Sequence, residues 1–185
     1  MTAASPFDVS PELKRDLQLV FTRTLGAGIV LGIVSIIGAI LSPGDFFHSY
    51  LMGYLFWLGL TLGSMGILML QYLTSGAWGV MTRRALESAS RTLPLCAILF
   101  IPVAIGIPWL YDWAHADLVK SIYVLRHRAV YMNPTMYIGR AILFFVVWLI
   151  IMYFLNKWSL EQDESGGLEK KLVRLSAPGL LIYVF

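Results

Sequence analysis

Cysteine is almost missing from this 185-residue chain: Cys96 stands alone, so no disulfide can form within it. Histidine is scarce as well. His48, His115 and His127 with one thiol cannot build a cysteine-rich zinc or iron–sulfur site, so any electron-carrying metal belongs to another chain. Charged residues make up 14%, against roughly 25% in an average soluble domain. The formal excess is only +3 and the basic residues flank apolar blocks, which argues against nucleic acid and for a lipid boundary. Neither a G-x-S-x-G elbow nor a glycine-rich phosphate loop occurs.

Apolar residues dominate instead, at 58% of the chain and a mean hydropathy of +0.72. They are gathered into blocks that no core of this size could cover, so lipid is the expected solvent and an all-α, polytopic transmembrane helix bundle the expected fold. Residues 1–16, with Pro6 and Pro11 and no small-residue cleavage site, read as a cytoplasmic tail rather than a cleaved signal. The transmembrane domain then covers 17–185. Its first span, 17–41, rises about 1.5 Å per residue and so crosses a ~30 Å hydrocarbon core. Ser42-Pro43-Gly44-Asp45 ends it as a turn. The second span, 46–73, is longer than the core requires. A third, 93–113, is interrupted by Pro94, Pro102 and Pro108, and its Trp109-Leu110-Tyr111-Asp112-Trp113 tail resembles an aromatic belt. The fourth is expected over 137–155, and a fifth apolar run starts near Leu172.

Between these blocks lie three polar stretches. Residues 74–92, with Trp78, Arg83, Arg84, Glu87 and Arg91, predict an amphipathic helical connector at the interface. Residues 114–136 predict a mixed loop and 159–174 a solvated one. Four spans place Lys14, Arg15, Arg23, Arg83, Arg84, Arg91, Lys157, Lys170, Lys171 and Arg174 on one side, and Lys120, Arg126, Arg128 and Arg140 on the other. That is ten against four of the 14 basic residues, which puts the N-terminus in the cytoplasm.

Gly59, Gly63 and Gly66 follow one another at i, i+4 and i+7, a spacing that suits close helix packing; a glycine-lined slot for a flat quinone ring is the sharper alternative. Ionisable groups near membrane depth are costly and therefore candidates for function. His48, Asp112, His115 and Arg140 gather at one membrane face, where they are candidates for a proton path or a quinol-proximal site. The bland reading is that they are interfacial groups with access to water. A b-type haem needs two histidines facing each other inside the bilayer, and His48 and His115 could meet only at its rim. No catalytic residue and no metal site is expected in this chain alone.

Several stretches are more specific than any of these patterns. They are His48-Ser-Tyr-Leu-Met-Gly-Tyr-Leu-Phe-Trp-Leu-Gly-Leu-Thr-Leu-Gly63, Leu73-Thr-Ser-Gly-Ala-Trp-Gly79, Arg83-Arg84-Ala-Leu-Glu87 and Arg91-Thr92-Leu93-Pro94-Leu95, with Tyr131-Met132-Asn133 and Leu155-Asn156-Lys157-Trp158-Ser159 later on. Together they resemble the ActF-type membrane subunit of bacterial alternative complex III, of the NrfD or polysulfide-reductase anchor type. The resemblance implies a multi-pass subunit of the bacterial inner membrane beside a paralogous ActC-type subunit. It implies partner subunits carrying iron–sulfur clusters and c-type haem, quinol or menaquinol nearby, and a cytochrome c or terminal oxidase as acceptor. It also implies that the chain is the N-terminal portion of a longer member, that it binds no cofactor itself, and that its role is scaffolding with a proton route. A small membrane transporter or channel, with the proline-broken helix lining its path, is the rival reading, and a purely structural anchor the third.

Overall fold

The computed structural model describes residues 11–74, 79, 81–121 and 123–184. Trp78, most of the expected tail and Phe185 lie outside them. The described residues form helices and short connections with no strand, so the fold is all-α. Four helical stretches, 11–41, 43–74, 83–105 and 134–163, are long and apolar enough to cross a membrane, which makes this a multi-pass membrane protein.

The chain divides into two compact units, 1–46 and 47–185. In the first, helix α1 (Pro11–Leu41) starts six residues earlier than the apolar run alone predicts, and none of its residues is buried. An apolar helix with no buried face requires lipid or a neighbour as its solvent. Its threonines need nothing from that solvent. Thr22 Oγ1 donates to the Gln18 carbonyl at 2.9 Å and Thr24 Oγ1 to that of Val20 at 2.8 Å, so both hydroxyls are satisfied within the helix. At the predicted turn, Ser42 Oγ donates to the Asp45 carboxylate at 2.8 Å, and α2 (Pro43–Thr74) begins with proline in its first turn, where no donor is lost.

In the second unit, α3 (Arg83–Ser90) leads almost directly into α4 (Leu93–Ile105). Pro102 lies within α4, and its carbonyl accepts the Gly106 amide at 2.8 Å where the helix ends. Instead of one span over 93–113, the chain restarts at Gly106 as α5 (Ile107–Leu110), then makes a single 3-10 turn at Asp112–Ala114. The expected loop 114–136 holds two short helices, α6 (Ala116–Ser121) and α7 (Tyr123–Arg128).

Helix α8 (Pro134–Ser165) corrects the fourth span at both ends. It starts three residues early because Asn133 caps it: the Asn133 side chain accepts the Met136 amide at 2.8 Å, and Pro134 occupies the first turn. Replacing Asn133 by Ala leaves that amide without its acceptor and should cost about 1 kcal/mol, readable as a lower melting midpoint in detergent. The helix also continues ten residues past Leu155, into the first part of the predicted solvated loop. It stops where Gly166 and Gly167 take φ of 67° and 78°, a backbone region other residues enter at a cost. Helix α9 (Glu169–Val184) then folds back on α8. Two cores result. Tyr54, Leu93, Cys96, Val103 and Phe145 join α2, α4 and α8, while Met65, Met69, Ile151, Leu155 and Leu172 join α2, α8 and α9.

Candidate functional site

Helical periodicity builds an aromatic cavity between α2, α4 and α8. Leu51, Tyr54, Leu55 and Leu58 recur at i, i+3, i+4 and i+7 on α2, and Tyr137, Arg140, Ala141, Phe144 and Trp148 follow the same rhythm on α8. Phe100 and Val103 of α4 close the third side, leaving a hollow of about 280 Å³. Phe100 is its hinge: its ring lies 6.1 Å from Tyr54, 6.1 Å from Tyr137 and 5.6 Å from Phe145, centroid to centroid. Tilted aromatic pairs at these separations are favourable beyond their burial alone. Tyr111 extends the wall, stacked on Trp113 at 4.9 Å and 5.6 Å from Tyr137.

Arg140, the one charged group in that wall, is held in two ways. Its guanidinium lies 3.8 Å from the Tyr131 ring centroid, and Nη1 donates to the Tyr131 carbonyl at 2.9 Å. Two polar atoms of lining residues are left without partners. Tyr54 Oη and Trp148 Nε1 are buried and make no hydrogen bond.

The other candidates from the sequence sit at the same end of the second unit. Asp112 and His115 flank the 3-10 turn, where the His115 amide donates to the Asp112 carbonyl at 3.1 Å; both side chains are exposed. His115 Nε2 is 2.8 Å from the Pro108 carbonyl, so this nitrogen carries the proton in that contact and the ring ties α5 to the turn. His48 is an exposed residue of α2, next to the buried Phe47 that stacks on Trp109 at 5.2 Å. Arg140 is thus built into the cavity wall, whereas Asp112, His115 and His48 are not part of it. Among the described residues, no three His, Cys, Asp or Glu side chains gather closely enough to hold a metal.

The glycines divide. Gly66 packs: a Cβ there would come 3.2 Å from the Tyr183 ring of α9. Gly59 and Gly63 have open space where a Cβ would go, so within this chain the spacing brings one of the three against another helix.

A polar network that the sequence reading placed at a solvated interface lies at the opposite end of α8, with Glu87, Ser90, Asn156 and Ser159 buried and Arg84 and Asp163 exposed. Glu87 is 2% exposed, and its carboxylate accepts from Ser159 Oγ, from Arg84 Nη1 at 2.8 Å and from Tyr72 Oη at 3.4 Å, with Arg83 Nε at 3.5 Å. Arg83 and Arg84 both reach on to Asp163. One turn further, Arg91 Nε donates to Asn156 Oδ1 at 2.9 Å, and Asn156 Nδ2 donates to Ser90 Oγ at 3.1 Å. The signal for this was present in Arg83-Arg84-Ala-Leu-Glu87 and in Asn156, Ser159 and Asp163. The first set has ion-pair spacing, and the second recurs at about one helical turn. No protein-family model matches the chain, and no curated protein matches it.

Proposed function

We propose that this chain is a membrane subunit of a quinol-oxidising respiratory complex of the alternative complex III kind, in the bacterial inner membrane with its N-terminus cytoplasmic. It works there beside an ActC-type paralogue and subunits that carry iron–sulfur clusters and c-type haem. Its own part is to scaffold the membrane sector. The supporting observation is that the stretches resembling the family bind one another. Residues 83–91 and 155–159, far apart in sequence, are clamped by the Glu87–Ser159 and Arg91–Asn156 contacts, and Asp163, one turn beyond the second stretch, holds Arg83 and Arg84 as well. Those residues are what a rigid helical scaffold needs.

The second support is uncovered surface. No more than 28% of the most apolar stretch of any of the four long helices is buried within the chain. Such helices leave room for lateral neighbours as well as lipid. Gentle solubilisation of the native membrane, followed by mass spectrometry and a haem spectrum of whatever co-purifies, tests the proposal. Co-purifying c-type haem and iron–sulfur subunits are the expected result. A haem-free, partner-free protein that supports solute flux in liposomes would overturn it in favour of a transporter.

A further inference from the structure

We infer that the exposed face of α9 binds an anionic phospholipid, with its phosphate on Lys170, Lys171 and Arg174 and an acyl chain along Ala177 and Leu181. Such a site goes beyond the respiratory role and does not draw on it. Helix α9 buries Leu172, Ser176 and Gly179, at i, i+4 and i+7. Lys170, Arg174, Ala177 and Leu181 recur at i, i+4, i+7 and i+11 on its other side, and all four are exposed. One stripe therefore runs from cations to apolar side chains along ~16 Å of helix. A phosphate joined to an acyl chain complements both halves of it. Inorganic phosphate or an acidic soluble protein would use the charged half alone.

The packing of α9 sets the two halves at the right depths. Leu172 shares a core with Ile151 and Leu155, where the apolar run of α8 ends before Asn156 and Lys157. Further along, a Cβ on Gly179 would come 3.0 Å from Met69 Sδ and one on Gly66 3.2 Å from the Tyr183 ring, so α9 continues beside the apolar part of α2. Lys170 and Lys171 thus stand at the polar edge of the span, and Leu181 at hydrocarbon depth. Arg174 lies between them, with a side chain long enough to reach back to the edge. Around the basic end is an open hollow of about 590 Å³, room for a head group. Glu169 is the one carboxylate of its lining, against three cations. Among the described residues none of these cations has an ion-pair partner; the ion pairs of α3 and α8 engage Arg83, Arg84 and Lys157 instead. Basic side chains at a membrane edge attract anionic head groups, most strongly where no carboxylate already neutralises them.

Native mass spectrometry of the full chain in detergent, offered equal amounts of phosphatidylglycerol and phosphatidylcholine, tests this. Phosphatidylglycerol should be retained about thirtyfold over phosphatidylcholine. Lys170→Gln, Lys171→Gln and Arg174→Gln should each lower that preference about threefold, and the triple variant should retain both lipids equally. Arg128→Gln, which removes the same charge from α7, should leave the preference intact. A short-chain phosphatidylglycerol has the head group but little tail and should bind about tenfold more weakly than the long-chain lipid. A preference that survives the triple substitution would overturn the inference. So would displacement of the lipid by inorganic phosphate, which assigns the hollow to a free anion. Loss of a co-purifying acidic protein from the triple variant, with phosphatidylglycerol retained as before, would overturn it in favour of a protein partner.

Discussion

Replacing Glu87 by Ala should lower stability by about 2–3 kcal/mol. Ser159 is fully buried and donates to this carboxylate, so truncation takes the acceptor from a buried hydroxyl, and Tyr72 Oη loses its 3.4 Å contact as well. Arg84 contributes less to the loss. Its side chain is 53% exposed and regains water when the pair is broken. Glu87→Gln keeps an acceptor for Ser159 and discards the charge, so it should cost about half as much. Thermal melting in detergent separates the two, at roughly 2–4 °C per kcal/mol for a chain of this size. Equal midpoints for the Ala variant and the parent would show that the carboxylate does not hold α3 to α8.

Gly106→Ala should cost about 2 kcal/mol, for reasons of space rather than backbone. With φ of −76° and ψ of −2°, Gly106 has a conformation open to any residue. A Cβ there would come 2.3 Å from Phe47 Cδ1 and 2.7 Å from Cγ, close to the stem of a buried ring that cannot simply swing aside. Phe47 would have to leave its stack on Trp109. Shrinking Phe47 to Leu in the same chain should recover part of the loss, so the two changes together cost less than their sum. Melting midpoints of the four proteins report this directly. A strictly additive pair would mean that the two residues do not touch.

Both substitutions fall at places the apolar runs reveal only in part. Long uninterrupted blocks made the helices around Phe46–Leu73 and Tyr137–Leu155 legible, because nothing but helix satisfies the backbone in lipid. Their ends were less legible. Asn133-Pro134 is a cap-and-first-turn signature hidden inside what looks like a loop. Past Leu155 the apolar run ends but the helix continues, since Asn156, Ser159 and Asp163 find polar partners on α3 and Arg91. A hydropathy pattern registers these residues as solvated; only pairing across the fold makes Asn156 and Ser159 interior.

The candidate site follows the same division. Arg140 was legible as a costly charge near membrane depth, and it lines the cavity. Tyr54 and Trp148 were not, because aromatic residues on apolar helices look like packing until a missing hydrogen-bond partner sets them apart. His48, Asp112 and His115 carry the expected chemistry outside the cavity wall. A proton role for them predicts that Asn or Gln at each position lowers turnover of the assembled complex with assembly intact. Unchanged turnover would leave them structural.

As a subunit of the proposed quinol-oxidising complex, this chain should be required for quinol oxidation in the native membrane. Membranes lacking the chain and membranes complemented with it are supplied with quinol, and reduction of c-type haem is followed by absorbance. Complementation should restore a rate that the deletion abolishes. Equal rates in both membranes would contradict the assignment of this chain to a quinol-oxidising complex.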